Sequence, residues 1–250
     1  MASVGAAHQN LALIAGAQRG RISWAQLVQA GLTRRMIRTG VANGRLHHLA
    51  PGVYAVGHRS EPELGRETAS LLAVGPAAVL VGITALELYR AIPADSRRPV
   101  HIALPGGRTA RSRPGIKVHR YSRLLPSQIR IREGLPVTSA ERALLDAAPL
   151  LTPRQLERAF DEAIATRATS RAKVLELLSV TGGRAGQTAL AALADPRRSP
   201  SRTQSPPEER ALELIRAAGL PTPETQYPLH GFSADWRRRV RSLTGSGCMA

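Results

Sequence analysis

Between Ser23 and Val56 the apolar positions fall into three short runs. Trp24, Leu27 and Val28 stand at helical spacing behind Ser23, and Gln26 sits three residues after that serine, which is the pattern of a capping box. Gly31 ends this helix and Leu32 fills the gap. Thr33 caps a second helix in which Met36, Ile37 and Val41 form the apolar stripe, and Asn43-Gly44 stops it. Leu46 to Val56, bent at Pro51-Gly52, then reads as a hairpin. Two helices, a tight turn and a hairpin make a winged helix-turn-helix. Residues 8–18, with Leu11, Leu13, Ile14 and Ala17, predict a third helix packed on the pair.

The rest of the chain alternates in type. Helices are predicted from Leu64 to Val74, Thr84 to Arg90, and Ser139 to Ala148, the last capped by Thr138 with Glu141 three residues on and with Leu144, Leu145 and Ala148 facing inward. Val79 to Val81 reads as a buried strand, and Gln128 to Arg132 is a further candidate strand. In Pro99 to Leu104, Val100, Ile102 and Leu104 alternate with His101 and Ala103. In Gly115 to Tyr121, Ile116 and Val118 alternate with Lys117 and His119, so both read as strands with one wet face. Helices at 153–166, 171–179 and 186–194 follow, with Leu156, Phe160, Ile164, Val174, Leu175 and Leu178 as core positions. The expected fold class is therefore α+β. It comprises a winged helix (1–60), a mixed α/β middle domain (61–150), a helical segment (151–195), a Pro- and Ser-rich linker (196–207) and a tail (208–250).

Charge sharpens this picture. The net charge is +17, and residues 1–60 contain seven arginines and neither Asp nor Glu. An excess of base over acid points to a polyanionic partner. The arginine-to-lysine ratio carries no such message, because GC-rich coding alone produces it. In a helix-turn-helix the second helix enters the major groove, so Thr33, Arg34, Arg35 and Arg38 are the expected DNA contacts, with Arg45 and His47 at the start of the wing. An ordinary solvated helix face would also carry such arginines. Ser96 to Arg132 is a second block without carboxylates, holding ten Lys or Arg. It reads as a solvated antiparallel sheet face ahead of a second DNA contact or a partner surface.

Other chemistry finds little support. Cys248 is the one cysteine, which excludes an internal disulfide framework or cysteine metal site and fits a cytoplasmic protein. The most apolar stretch, Ala69 to Leu88, is broken by Gly75, Pro76 and Gly82, so neither a signal peptide nor a membrane span is expected. His101, His119 and His230 lack ligand spacing for zinc, and Pro105-Gly106-Gly107 lacks the Lys-Ser/Thr of a phosphate loop.

Several stretches resemble a known family: Ile22 to Val56 with LTRRMIRTGVANGRLHHLAPGVYAV, PVHIALPGG (99–107), GIKVHRYSRL (115–124), GLPVTSAERALLDAA (134–148), and SPPEERALELIRAAGLPTPETQYPLHGFSAD (205–235). They are similar to actinobacterial proteins that join an AbiEi-type antitoxin winged helix to a tail like that of very-short-patch-repair endonucleases. The resemblance implies an autorepressor of a toxin–antitoxin operon, with double-stranded DNA and a nucleotidyltransferase-like toxin as partners; a homodimer is a further expectation because operators are often two-fold. It implies no cofactor for that role.

The tail implied by the resemblance is partly restriction-endonuclease-like, of the PD-(D/E)xK kind. Such nucleases hold Mg²⁺ between acids on a helix and two strands. Glu208 and Asp235 match the first two of those acids. The next strand, with its EVDG-like motif, is replaced by Trp236-Arg237-Arg238-Arg239-Val240-Arg241, and the last fifteen residues hold no acid. A truncated or frameshifted gene end is the expectation. Glu208 also completes a capping box with Ser205, which needs no metal. A metal-dependent endonuclease, inactive here for want of its last ligand strand, is the alternative function. A purely protein-binding antitoxin is the third.

Overall fold

The computed structural model describes residues 4–105, 113–121, 124–198, 214–215, 218–220, 224–229 and 232–237. The chain divides into two compact units, 1–198 and 199–250.

The first unit begins with helix α1 (Val4–Ala17), strand β1 (Arg21–Ser23), helices α2 (Trp24–Gln29) and α3 (Arg34–Ala42), and strands β2 (Leu46–Ala50) and β3 (Val53–Val56). Both predicted caps form. Ser23 Oγ accepts from the Gln26 amide while the Gln26 side chain accepts from the Ser23 amide, and Thr33 Oγ1 accepts from the Met36 amide. The turn between the helices passes through Gly31 at φ +99°, a left-handed conformation that any side chain would strain. Leu27, Leu32 and Ile37 close a core with Ala7, Leu11, Ile22, Leu46 and Tyr54. Each fully buried large aliphatic side chain there contributes about 1.5–3 kcal/mol.

Two details differ from the sequence reading. β1 was not expected; it pairs antiparallel with β3, Ile22 opposite Tyr54, and so makes the wing a three-stranded sheet in the order β1-β3-β2. The inward stripe of α1 is Ala7, Leu11 and Ala15, which recur every fourth residue, whereas Leu13 projects outward, 73% exposed, and Ala17 is also exposed. A helix this small has room for apolar residues on its wet side.

The body follows with α4 (Gly65–Val74), β4 (Val79–Leu80), α5 (Gly82–Leu88), β5 (Val100–Leu104), β6 (Ile116–Arg120), β7 (Ile129–Arg132), β8 (Leu135–Thr138) and α6 (Ala140–Ala147), then α7 (Pro153–Ala165), α8 (Arg171–Ser179) and α9 (Gln187–Ala194). The five strands form one mixed sheet in the order β6-β5-β4-β8-β7. β5 runs parallel to β6, and β4 parallel to β8. The fold is α+β.

β5 is buried along its whole length, not on one face. Its nominally polar face is covered because Ala103 packs in a second apolar cluster with Val79, Val81, Tyr121 and Leu124, and because His101 meets His119. The expected solvated antiparallel face is therefore replaced by a parallel strand pair with apolar packing on both sides. β8 occupies the stretch read as the approach to a helix. Ser139, not Thr138, stands at the head of α6, while Thr138 is buried and its hydroxyl reaches the Leu80 carbonyl. Helices α7, α8 and α9 share the core of the sheet through Leu156, Phe160, Val174, Leu178 and Leu190, so residues 151–195 and the middle domain bury one common core. Leu175 faces out and Leu177 takes its place inside.

In the second unit β9 (Glu224–Leu229) pairs antiparallel with β10 (Phe232–Arg237). Asp235 lies on β10. Glu208, and nearly all of the helix expected to follow it, fall outside the described residues.

Candidate functional site

The outward face of α3 is built by its own periodicity. Ile37 is buried at 1% exposure and turns the opposite side of the helix to solvent. Arg34 and Arg38 are four residues apart, Arg35 and Arg38 three, so the three guanidinium groups share that side. All three are exposed, and among the described residues none accepts a hydrogen bond from their guanidinium groups or pairs with them as an ion. Thr33 has its hydroxyl engaged as the N-cap, which fixes the start of α3; a cap acceptor can still donate its proton outward. Arg45 is exposed at the foot of the wing.

His47 is held more tightly than the sequence indicated. Its Nε2 lies 2.9 Å from the Gly57 carbonyl, so one ring nitrogen is occupied and its other edge is the part open to a ligand. His48 stands edge-on to Tyr54, ring centroids 5.5 Å apart, and Tyr54 is itself buried in the lobe. The wing's histidines are thus ordered by the sheet that carries them. The structure brings α3 and the wing together through Gly40. A Cβ at that position would stand 3.1 Å from Leu46 Cδ1, so the absent side chain lets β2 close on the helix.

The winged helix is seated on the body. Arg19 donates to the Glu133 carbonyl in the β7–β8 turn, and Arg113 donates to the Pro51 carbonyl at the wing's bend, 3.4 Å away. Among the described residues, most of the body's basic block is engaged internally. Arg98 pairs with Glu87 at 2.9 Å, Arg97 with Asp95 at 3.0 Å, and Arg132 donates to the Leu88 carbonyl while lying over the Tyr89 ring. Arg97 holds the Asp95 carboxyl down at about 2. Lys117 and Arg120 remain exposed on β6.

Two buried polar groupings were not read from the sequence. His101 and His119 are hydrogen-bonded across β5 and β6 rather than scattered. Asp146 is the hub of the other: Arg142 Nε donates to both of its carboxylate oxygens at 3.0 Å, Arg184 donates at 3.1 Å, and both guanidinium groups lie over the Tyr121 ring. Burial pushes the Asp146 carboxyl up, against the pull of Arg142 and Arg184. The i,i+4 spacing of Arg142 and Asp146 was the available signal for that pair. Among the described residues no three or more His, Cys, Asp or Glu come together as metal ligands. No helix among them is long and apolar enough to cross a membrane.

Fold and site define an α+β protein in which a winged helix with a basic outer helix is docked on a mixed-sheet body. Over 211 residues, 82% of this chain and 73% of the relative, the chain is 31% identical to uncharacterized protein Rv2248 of Mycobacterium tuberculosis (strain ATCC 25618 / H37Rv). It matches uncharacterized protein MT2308 of Mycobacterium tuberculosis (strain CDC 1551 / Oshkosh) to the same extent. The chain belongs to the family of these mycobacterial proteins. It is also similar, at 20% identity and a TM-score of 0.48, to the RV2827C protein from Mycobacterium tuberculosis in its crystal structure, over 74% of this chain and 76% of that one. No family model matches the chain.

Proposed function

We propose that the chain is a DNA-binding transcriptional regulator that reads duplex DNA with α3 and steadies it with the wing. The observation that carries this reading is the exposed trio Arg34, Arg35 and Arg38, without partners among the described residues on a short, capped helix. Several other arginines of the first unit are anchored on carboxylates, carbonyls or rings, as Arg98, Arg132 and Arg171 are. Three free guanidinium groups on one face carry Coulombic self-repulsion with no internal compensation, and a phosphate backbone supplies what they lack. Arg45 and the free edge of His47 extend the same contact onto the wing.

The resemblance to AbiEi-type antitoxins supports a narrower form: an autorepressor in a cytoplasmic toxin–antitoxin pair. The decisive experiment measures binding of the purified chain to its own upstream DNA and to unrelated DNA across a salt series, beside a variant with Arg34, Arg35 and Arg38 changed to Ala. Preference for the upstream fragment, lost in the variant, supports the regulator. Equal binding that is indifferent to the three arginines sinks it. Rescue of growth by co-expression with a nucleotidyltransferase-like toxin from the neighbouring gene tests the antitoxin form.

The endonuclease alternative rests on Glu208 and Asp235, of which only Asp235 lies among the described residues, on β10.

A further inference from the structure

A groove of about 350 Å³ opens within the first unit between the winged helix and the body, lined on one side by Arg21, Leu49, Ala50 and Arg59 and on the other by Arg66, Ser96, Arg97 and Arg98. Its size suits a small molecule.

Arg21 makes this groove unusual. It is 4% exposed, yet among the described residues it has no ion-pair partner. One guanidinium nitrogen donates to the Ser60 carbonyl at 2.8 Å, and Nε is buried with no acceptor at all. A buried cation satisfied by a single neutral carbonyl is costly, because desolvation is uncompensated. The backbone packs closely around it: a Cβ on Gly65 would lie 2.9 Å from the Pro62 ring and 3.1 Å from that same Arg21 nitrogen.

The surrounding charges leave the deficit in place. Arg66 spends its donors on the Ser96 and Arg98 carbonyls and on Glu67, Arg98 on Glu87, and Arg97 on Asp95. Arg59, exposed at the rim, has no partner among the described residues. Glu61 is the groove's one lining carboxylate, against five arginines. At the start of α4 the Gly65 amide is engaged by the Pro62 carbonyl and Glu67 is paired with Arg66, so neither compensates Arg21.

We propose that this groove is a binding site for a small phosphate-bearing anion, a free phosphomonoester, whose phosphate compensates Arg21 and is clasped by Arg59. The exposed Arg59 guanidinium offers the fork that matches phosphate oxygens bidentately, which favours phosphate over a point-like anion, while the buried Arg21 contributes its uncompensated charge. Because the groove is walled by the winged helix on one side and the body on the other, an occupied site ties the two together. The inference stands apart from DNA reading by α3, whose arginines are not in the groove.

The test is a thermal-shift and calorimetric titration of the full chain with inorganic phosphate and with adenosine monophosphate, each against potassium chloride of equal ionic strength. The variants are Arg59→Ala, Arg21→Met and the triple α3 variant. The expected result is a saturable rise in melting temperature with phosphate or the nucleotide. Arg59→Ala should weaken it by about tenfold, as for loss of a charge-assisted hydrogen bond, and the α3 variant should leave it intact. A shift no larger than chloride gives, with both probes, overturns the proposal. So does an Arg59→Ala variant that loses DNA affinity while neither free probe saturates the parent, since the phosphate would then belong to the DNA backbone. Arg21→Met removes the buried charge and keeps the length; folded by circular dichroism, it should bind phosphate more weakly than the parent, and equal affinity would also overturn the assignment.

Discussion

His119 Nε2 lies 3.0 Å from His101 Nδ1, a hydrogen bond between imidazoles on the parallel strands β5 and β6. One ring must donate and the other accept, so the pair requires at least one neutral ring. Burial, the facing His119 and nearby Lys117 bring His101 down to about 4, and burial with Lys117 lowers His119 as well.

The sign follows from linkage. In the unfolded chain a histidine takes its proton near pH 6.5, while folded His101 resists it until about pH 4. The unfolded state therefore binds more protons in that interval, and stability is full above pH 6.5 and lost as pH falls toward 4. The unfolding free energy from urea titrations should drop between pH 7 and pH 5 by on the order of 2 kcal/mol. His101→Gln should flatten that slope; an unchanged slope would contradict the assignment.

Asp146 compensates two arginines at once, Arg142 at 3% side-chain exposure and Arg184 at 31%. Asp146→Asn keeps the size and removes the charge, leaving Arg142 buried beside a neutral amide. Breaking such a pair costs about 3–5 kcal/mol. Chemical denaturation of Asp146→Asn, Arg184→Met and the double variant should show the double variant losing less than the sum of the two single changes. Simple additivity would mean the charges do not interact.

Gly186 precedes α9 at φ +82°, and a Cβ there would overlap the Cβ of Ala148. Gly186→Ala meets both backbone strain and a clash with a neighbour that cannot rotate away. A loss of roughly 2–4 kcal/mol is expected from the combination. Gly183→Ala, at φ +71° but with nothing within 4 Å, isolates the strain alone and should cost less. Equal losses would show that α9 shifts freely.

What was legible in the chain were features that announce themselves locally. Ser23 with Gln26, Thr33 with its helix, and Gly31 at the turn each carry their conformation in three or four residues, and the winged helix followed from them. β1 has only Arg21, Ile22 and Ser23, too short to show a period. β8 contains Pro136, and Thr138 mimics a helix cap, so the strand that completes the sheet was masked. The parallel pairing of β5 and β6 was hidden because His101 and Ala103 look like a wet face. Only the His119 contact and the Tyr121–Leu124 cluster reveal that they are covered. Arg21 could not be told from Arg34 by sequence at all: both are arginines in a basic stretch, and burial alone separates them.

That separation sharpens the expectation for α3. Arg34, Arg35 and Arg38 are exposed, so replacing them with Ala should leave stability within about 0.5 kcal/mol. If they contact phosphates, each releases counterions on binding, and the slope of log K against log salt should shrink by roughly 2–3 in the triple variant. If one reads a base edge instead, its single variant should lose about 1–3 kcal/mol on the preferred site and little on unrelated DNA, with the salt slope nearly unchanged. Arg34 and Arg35, in the first turn of α3, are the stronger candidates for base contact, because the N-terminal part of a recognition helix points deepest into the groove. Fluorescence anisotropy of the three single variants on both DNAs, at four salt concentrations, distinguishes the roles residue by residue. Three single variants with unchanged slope and unchanged discrimination would remove α3 from the interface and return attention to the exposed Lys117 and Arg120 of β6.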